Sequence, residues 1–108
     1  MRYVSIFRSS QPDAGPPSQE EMAAMGALIE RYMKDGALLV TEPLGAAEAG
    51  ARVERVGGQV TVSALTERAS GYAILQADTR EQCVELCKEF LEVAGDGVCE
   101  IRQIVDMG

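Results

Sequence analysis

Gly71-Tyr72-Ala73-Ile74-Leu75-Gln76-Ala77-Asp78-Thr79-Arg80-Glu81-Gln82-Cys83-Val84-Glu85-Leu86-Cys87 is the stretch that decides the fold. Its first seven residues are mostly apolar or aromatic and predict a strand over 71–77. Thr79 and Gln82 then form a capping box: the hydroxyl accepts from the backbone N–H three residues on while the Gln side chain reaches back, so a helix starts there. Cys83, Leu86, Cys87, Phe90, Leu91 and Ala94 fall on one helical stripe, Gly95 ends it, and Asp96-Gly97 turns the chain into a last strand over 98–105.

A similar unit opens the chain. Residues 3–8 read as a strand, with Val4 and Ile6 on one face and Tyr3, Ser5 and Phe7 on the other. Three prolines with Ser, Gln, Asp and Gly make 9–17 a loop. Ser18 and Glu21 form a second capping box, and Met22, Met25, Leu28, Ile29, Tyr32 and Met33 give a helical stripe that Gly36 stops. A strand over 38–42 ends at Pro43. The residues of 52–56 and 59–64 flank Gly57-Gly58, a two-residue turn that pairs Val53 with Val62 and Arg55 with Val60.

This order of strands and helices is a split βαβ pattern, so the expectation is one α+β domain over 1–108: a ferredoxin-like antiparallel sheet with two helices on one face. Alternation puts Tyr3, Ser5, Phe7, Tyr72 and Ile74 on the face the helices leave open. Such a face is too apolar to stay wet. Packing it on the same face of a second copy predicts a homodimer, with any pocket between the two sheets.

Composition narrows the partners. A chain of 108 residues, 46% hydrophobic and 25% charged, can bury a core without metal or disulfide staples. Its formal charge of −7 gives no footing on a phosphate backbone or an anionic membrane, so neither nucleic acid nor lipid is expected. No apolar run approaches the roughly 20 residues of a bilayer span, and the first residues read as a strand rather than a signal peptide, which predicts a cytoplasmic protein. The three cysteines, Cys83, Cys87 and Cys99, are an odd set that predicts no disulfide framework.

There is no histidine, so the most versatile base near neutral pH and the usual zinc ligand are both missing, and no metal or cofactor is expected. Neither a phosphate-binding glycine loop nor a Gly-x-Ser-x-Gly elbow is present. Cys83 and Cys87 have the spacing of a ligand or redox pair on a helix, but they share a stripe with Leu86 and Phe90, the place of small buried hydrophobes. The polar residues that alternation aims between the sheets are Ser5, Glu42, Glu67, Tyr72, Glu100 and Arg102. A carboxylate enclosed there would have a raised pKa and could serve as acid or base.

Tyr3-Val4-Ser5-Ile6-Phe7, the helix end Tyr32-Met33-Lys34-Asp35-Gly36-Ala37-Leu38 and Glu42-Pro43-Leu44 resemble the YCII-related family, also called the DGPF-domain family. The resemblance continues through Ala51-Arg52-Val53-Glu54-Arg55-Val56, Val60-Thr61-Val62, Glu67 and Gly71-Tyr72, nearly the whole chain. It implies a dimeric α/β barrel of ferredoxin-like subunits. The His-Asp pair of the family's YCII branch has no counterpart here, and Val62-Ser63-Ala64-Leu65-Thr66 stands where the family carries Asp-Gly-Pro-Phe. Glu67, Gly71 and Tyr72 match the segment that follows, and the resemblance carries them over as pocket candidates.

The leading functional expectation is a small-molecule-binding homodimer, with or without slow turnover. Glu67 would act as acid or base, Tyr72 as wall and donor, Arg102 as the bidentate partner of a ligand carboxylate or enolate, and Ser5 as a further contact. A second reading is a non-catalytic interaction module, since some members of the family resemble appendages of sigma factors. A third, cofactor-independent monooxygenase-like activity, rests on fold analogy alone.

Overall fold

In the computed structural model, which describes residues 1–12 and 14–107, the chain runs β1 (Arg2–Ser9), α1 (Gln19–Lys34), β2 (Leu38–Pro43), a 3-10 turn (Ala47–Ala49), β3 (Arg52–Val56), β4 (Gln59–Ser63), β5 (Gly71–Gln76), α2 (Arg80–Ala94) and β6 (Gly97–Gln103). It is a mixed α+β fold. Four strands form one antiparallel sheet in the order β2-β5-β1-β6, and β3 and β4 form a separate two-stranded sheet. The hairpin has the expected register, with Val53 opposite Val62 and Arg55 opposite Val60.

The helix boundaries follow from their caps. Ser18 Oγ accepts from the Glu21 N–H at 3.1 Å, and the Glu21 carboxylate accepts from the Ser18 N–H at 3.3 Å. Gly36, at φ 75°, takes the left-handed turn after the Asp35 cap. At α2 the Thr79 hydroxyl accepts from the Gln82 N–H at 3.1 Å, but the Gln82 side chain reaches one residue further than a capping box requires, to the Asp78 N–H at 2.8 Å.

Both helices pack on one side of the four-stranded sheet. Leu28 and Tyr32 of α1 and Cys83 and Cys87 of α2 meet Tyr3, Leu38 and Leu75, and the Phe7 and Phe90 rings cross edge to face at 5.1 Å. Each such buried apolar side chain contributes about 1.5–3 kcal/mol. Met22 and Met33, expected on the buried stripe of α1, lie outside it and are exposed.

The structure corrects the face assignment of β1. Tyr3 and Ser5 are buried against the helices with the half-buried Phe7 on the same side, and Val4 and Ile6 lie on the open side, paired with Ile74 and Tyr72. The expectation for Tyr72 and Ile74 agrees with their observed side; that for Tyr3, Ser5 and Phe7 is reversed. A β-bulge at Leu39 also changes the parity of β2, so Leu38 pairs with Leu75 on the helix side while Val40 pairs with Ile74 on the open side. Among the described residues no helix is long and apolar enough to cross a membrane.

Candidate functional site

On the helix side the sheet carries small residues opposite α1 and α2. Gly71 and Ala73 of β5, Ser5 of β1 and Thr41 of β2 stand opposite Met25, Leu28 and Ile29 of α1 and Leu86, Cys87 and Phe90 of α2. The result is a cavity of about 590 Å³, within the size range of small-molecule sites. Its walls are overwhelmingly apolar.

The polar groups in this lining are few. The Ser5 hydroxyl, buried on its strand, lies 3.7 Å from Cys87 Sγ, a long and weak contact. Thr41 Oγ1 donates to the Tyr72 carbonyl at 3.0 Å, and Ser70 Oγ accepts from the Ser9 N–H at 3.0 Å. Tyr32 turns its hydroxyl toward α2, where it donates to the Glu89 carboxylate at 2.6 Å; burial, followed by that carboxylate, pushes its pKa up. Ser70, Thr41 and Tyr32 each keep a donor or an acceptor beyond these bonds, and Ser5 makes only the weak contact with Cys87.

The thiols divide by surroundings. Burial pushes the Cys83 thiol up to about 12, so it serves as a small hydrophobe. The Cys99 thiol donating to Cys87 draws the Cys87 pKa down, against burial and with help from Ser5 and Cys83, while the same bond and burial push Cys99 up. Of the three sulfurs, Cys87 is the one that lines the cavity. Among the described residues no group of three or more His, Cys, Asp or Glu is arranged to hold a metal ion.

The open side of the sheet holds most of the polar residues singled out from the sequence. Its cross-strand rows read Glu42–Tyr72–Ile6–Glu100 and Val40–Ile74–Val4–Arg102. The Tyr72 hydroxyl donates to Glu42 at 3.1 Å, and that bond raises its pKa. Arg8 pairs with Glu100 and, at 2.8 Å, with Glu67. Glu67 lies in solvent rather than in an enclosed pocket, its side chain 73% exposed.

Ser5 is the exception, since its side chain lies on the helix side against Cys87, where it lines the cavity that Glu42 and Tyr72 also border. Two features escaped sequence reading. Arg8, the hub of the Glu67–Arg8–Glu100 cluster, follows Val4 and Ile6 at period two and would have been found with the β1 faces assigned correctly. The cavity had a signal too: four small residues, Ser5, Thr41, Gly71 and Ala73, on helix-facing positions of three neighbouring strands.

No family model matches the chain, and no curated protein matches it either.

Proposed function

We propose that this chain is a small-molecule-binding protein that takes an apolar ligand bearing one hydrogen-bonding group into the cavity between its helices and its sheet. The cavity carries the reading. Its volume of about 590 Å³ equals that of about 20 liquid waters. The pocket is partly open to solvent, and its apolar lining offers the water inside only a handful of polar partners, most with a protein bond already made. An apolar occupant releases water that the walls hold poorly, and Ser5 and Cys87 orient it from the floor.

The strand order β2-β5-β1-β6, with α1 between β1 and β2 and α2 between β5 and β6, supports a ferredoxin-like arrangement with the β3–β4 hairpin inserted between its halves. That agrees with the resemblance to the YCII-related family and with a dimeric α/β barrel. The open face favours such a dimer: Val4, Ile6, Val40 and Ile74 form an apolar centre, and Arg8, Glu42, Glu100 and Arg102 surround it, the anatomy of a protein interface. The reading is binding rather than turnover, because the one carboxylate beside the cavity, Glu42, is exposed and bonded to Tyr72.

The test is an amide-shift titration with 8-anilinonaphthalene-1-sulfonate as an apolar probe. Saturable shifts at Ser5, Thr41, Ala73 and Cys87 are expected. Shifts confined to Val4, Ile6, Tyr72 and Ile74 would place binding on the open face and remove the cavity reading.

A further inference from the structure

Nucleophiles are scarce in the cavity wall. The lining holds no lysine, the Tyr32 hydroxyl donates to Glu89, and the hydroxyls of Thr41 and Ser70 bond to backbone groups. Cys87 is the exception, since a thiol needs little help to attack carbon near neutral pH. Cys87 is only 8% exposed, yet it lines a cavity that the exposed Pro17 and Pro43 also border, so a reagent reaches it through the cavity.

Beside that sulfur stands a buried hydroxyl with poor company. Ser5 is 6% exposed and lines the same cavity, and its hydroxyl meets only thiols among the described residues: Cys87 Sγ at 3.7 Å, and Cys99. Thiols are weak donors and weak acceptors. A carbonyl oxygen brought to Ser5 would therefore gain a full hydrogen bond where only weak ones exist.

A nucleophile and a donor this close together fit a ligand with two matching centres. We propose that Cys87 captures an apolar α,β-unsaturated ketone or aldehyde, its sulfur adding to the β-carbon while the Ser5 hydroxyl donates to the carbonyl oxygen. This rests on the cavity-binding reading above and names the chemical class of the ligand. The sulfur–carbon bond forms as the carbon–carbon π bond breaks, the electron pair moves toward the oxygen that Ser5 holds, and the thiol proton finishes on the α-carbon. No oxidant, reductant or leaving group is needed.

The surroundings suit this addition better than other thiol chemistry. The bond from Cys99, and with it those from Ser5 and Cys83, favour the Cys87 thiolate against the burial that opposes it. Acyl transfer would need an acid for its leaving group, and the one carboxylate in the lining, Glu42, is exposed and bonded to Tyr72. Met25, Leu28, Ile29, Leu86 and Phe90 supply the apolar walls for an alkyl tail.

The enone (E)-3-nonen-2-one and its saturated analogue nonan-2-one, which can bind but cannot add, test the proposal on the full chain. After incubation at neutral pH, borohydride reduces the carbonyl and so blocks reversal on unfolding, and denaturing mass spectrometry with peptide mapping reads the product. One adduct per chain, on Cys87, is expected, formed at least ~10-fold faster than the adduct of free glutathione. Ser5→Ala, with far-UV circular dichroism as its folding control, should slow the reaction at least ~10-fold. Adducts on Cys83 or Cys99, a rate no better than that of glutathione, or a folded Ser5→Ala variant as fast as the wild type would overturn the proposal. Amide shifts at Ser5 and Cys87 with nonan-2-one but no adduct with the enone would sink the capture and leave the cavity reading standing; neither shifts nor adduct would sink both.

Discussion

Replacing Ala73 with leucine would put three more carbons into the cavity, and the size of the response follows from what surrounds it. Ala73 is on the helix side of β5, partly buried against the core. In a filled interior such a change strains its neighbours and costs about 1–3 kcal/mol. Here about 590 Å³ stands open beside the methyl group, and three carbons buried at about 0.8 kcal/mol each give about 2 kcal/mol of stabilisation. For a domain of this size that raises the melting temperature by about 10 °C. The same substitution should weaken binding of the anilinonaphthalene probe at least tenfold, because the leucine occupies its place. Differential scanning calorimetry and fluorescence titration on one preparation read both. A lower melting temperature with unchanged probe binding would refute the reasoning, since it would mean that Ala73 already faces packed atoms.

Two further outcomes follow from the scaffold. The Glu89 carboxyl is held below its usual range first by the Tyr32 hydroxyl and then by Arg31. A depressed folded pKa gives stability that is fully present above the unfolded value near 4.5 and is lost as pH falls through the folded one. The stability gap between wild type and Glu89→Gln should therefore be open at neutral pH and close on acidification in thermal melts; a gap unchanged down to about pH 3 would contradict the assignment. Gly97→Ala would bring a Cβ to 2.6 Å from both the Arg8 carbonyl oxygen and Phe7 Cε1. It should cost about 1–3 kcal/mol, seen as a lower urea midpoint at unchanged slope.

The elements of the fold were legible because their signals are local. Ser18 with Glu21, Thr79 with the Gln82 N–H, and Gly57-Gly58 each fix a boundary through bonds spanning a few residues. The side of the sheet on which β1 presents Tyr3, Ser5 and Phe7 was not legible, since both parities carry bulky apolar groups and period two alone cannot choose between them. Ser5 itself is buried at 6% exposure, with Cys87 against its hydroxyl.

The bulge at Leu39 acts in the same way on Leu38: counted back from Glu42 at period two it falls on the open side, and the extra residue returns it to the helix side. A cavity is harder still to read. It is made by residues that are small together in space but come from positions 5, 41, 71 and 73, and only the strand order brings them side by side. The charged candidates fared better because alternation on β2, β5 and β6 was read with the right parity, which put Glu42, Tyr72, Glu100 and Arg102 on one face.

Native mass spectrometry of the freshly purified protein, followed by a denaturing spectrum of the same sample, tests the cavity most directly. The account predicts extra mass bound at one small, apolar molecule per chain, released on denaturation and absent from the Ala73→Leu variant. Equal extra mass on the variant, or a wild type that carries none and takes up no apolar probe, would contradict it.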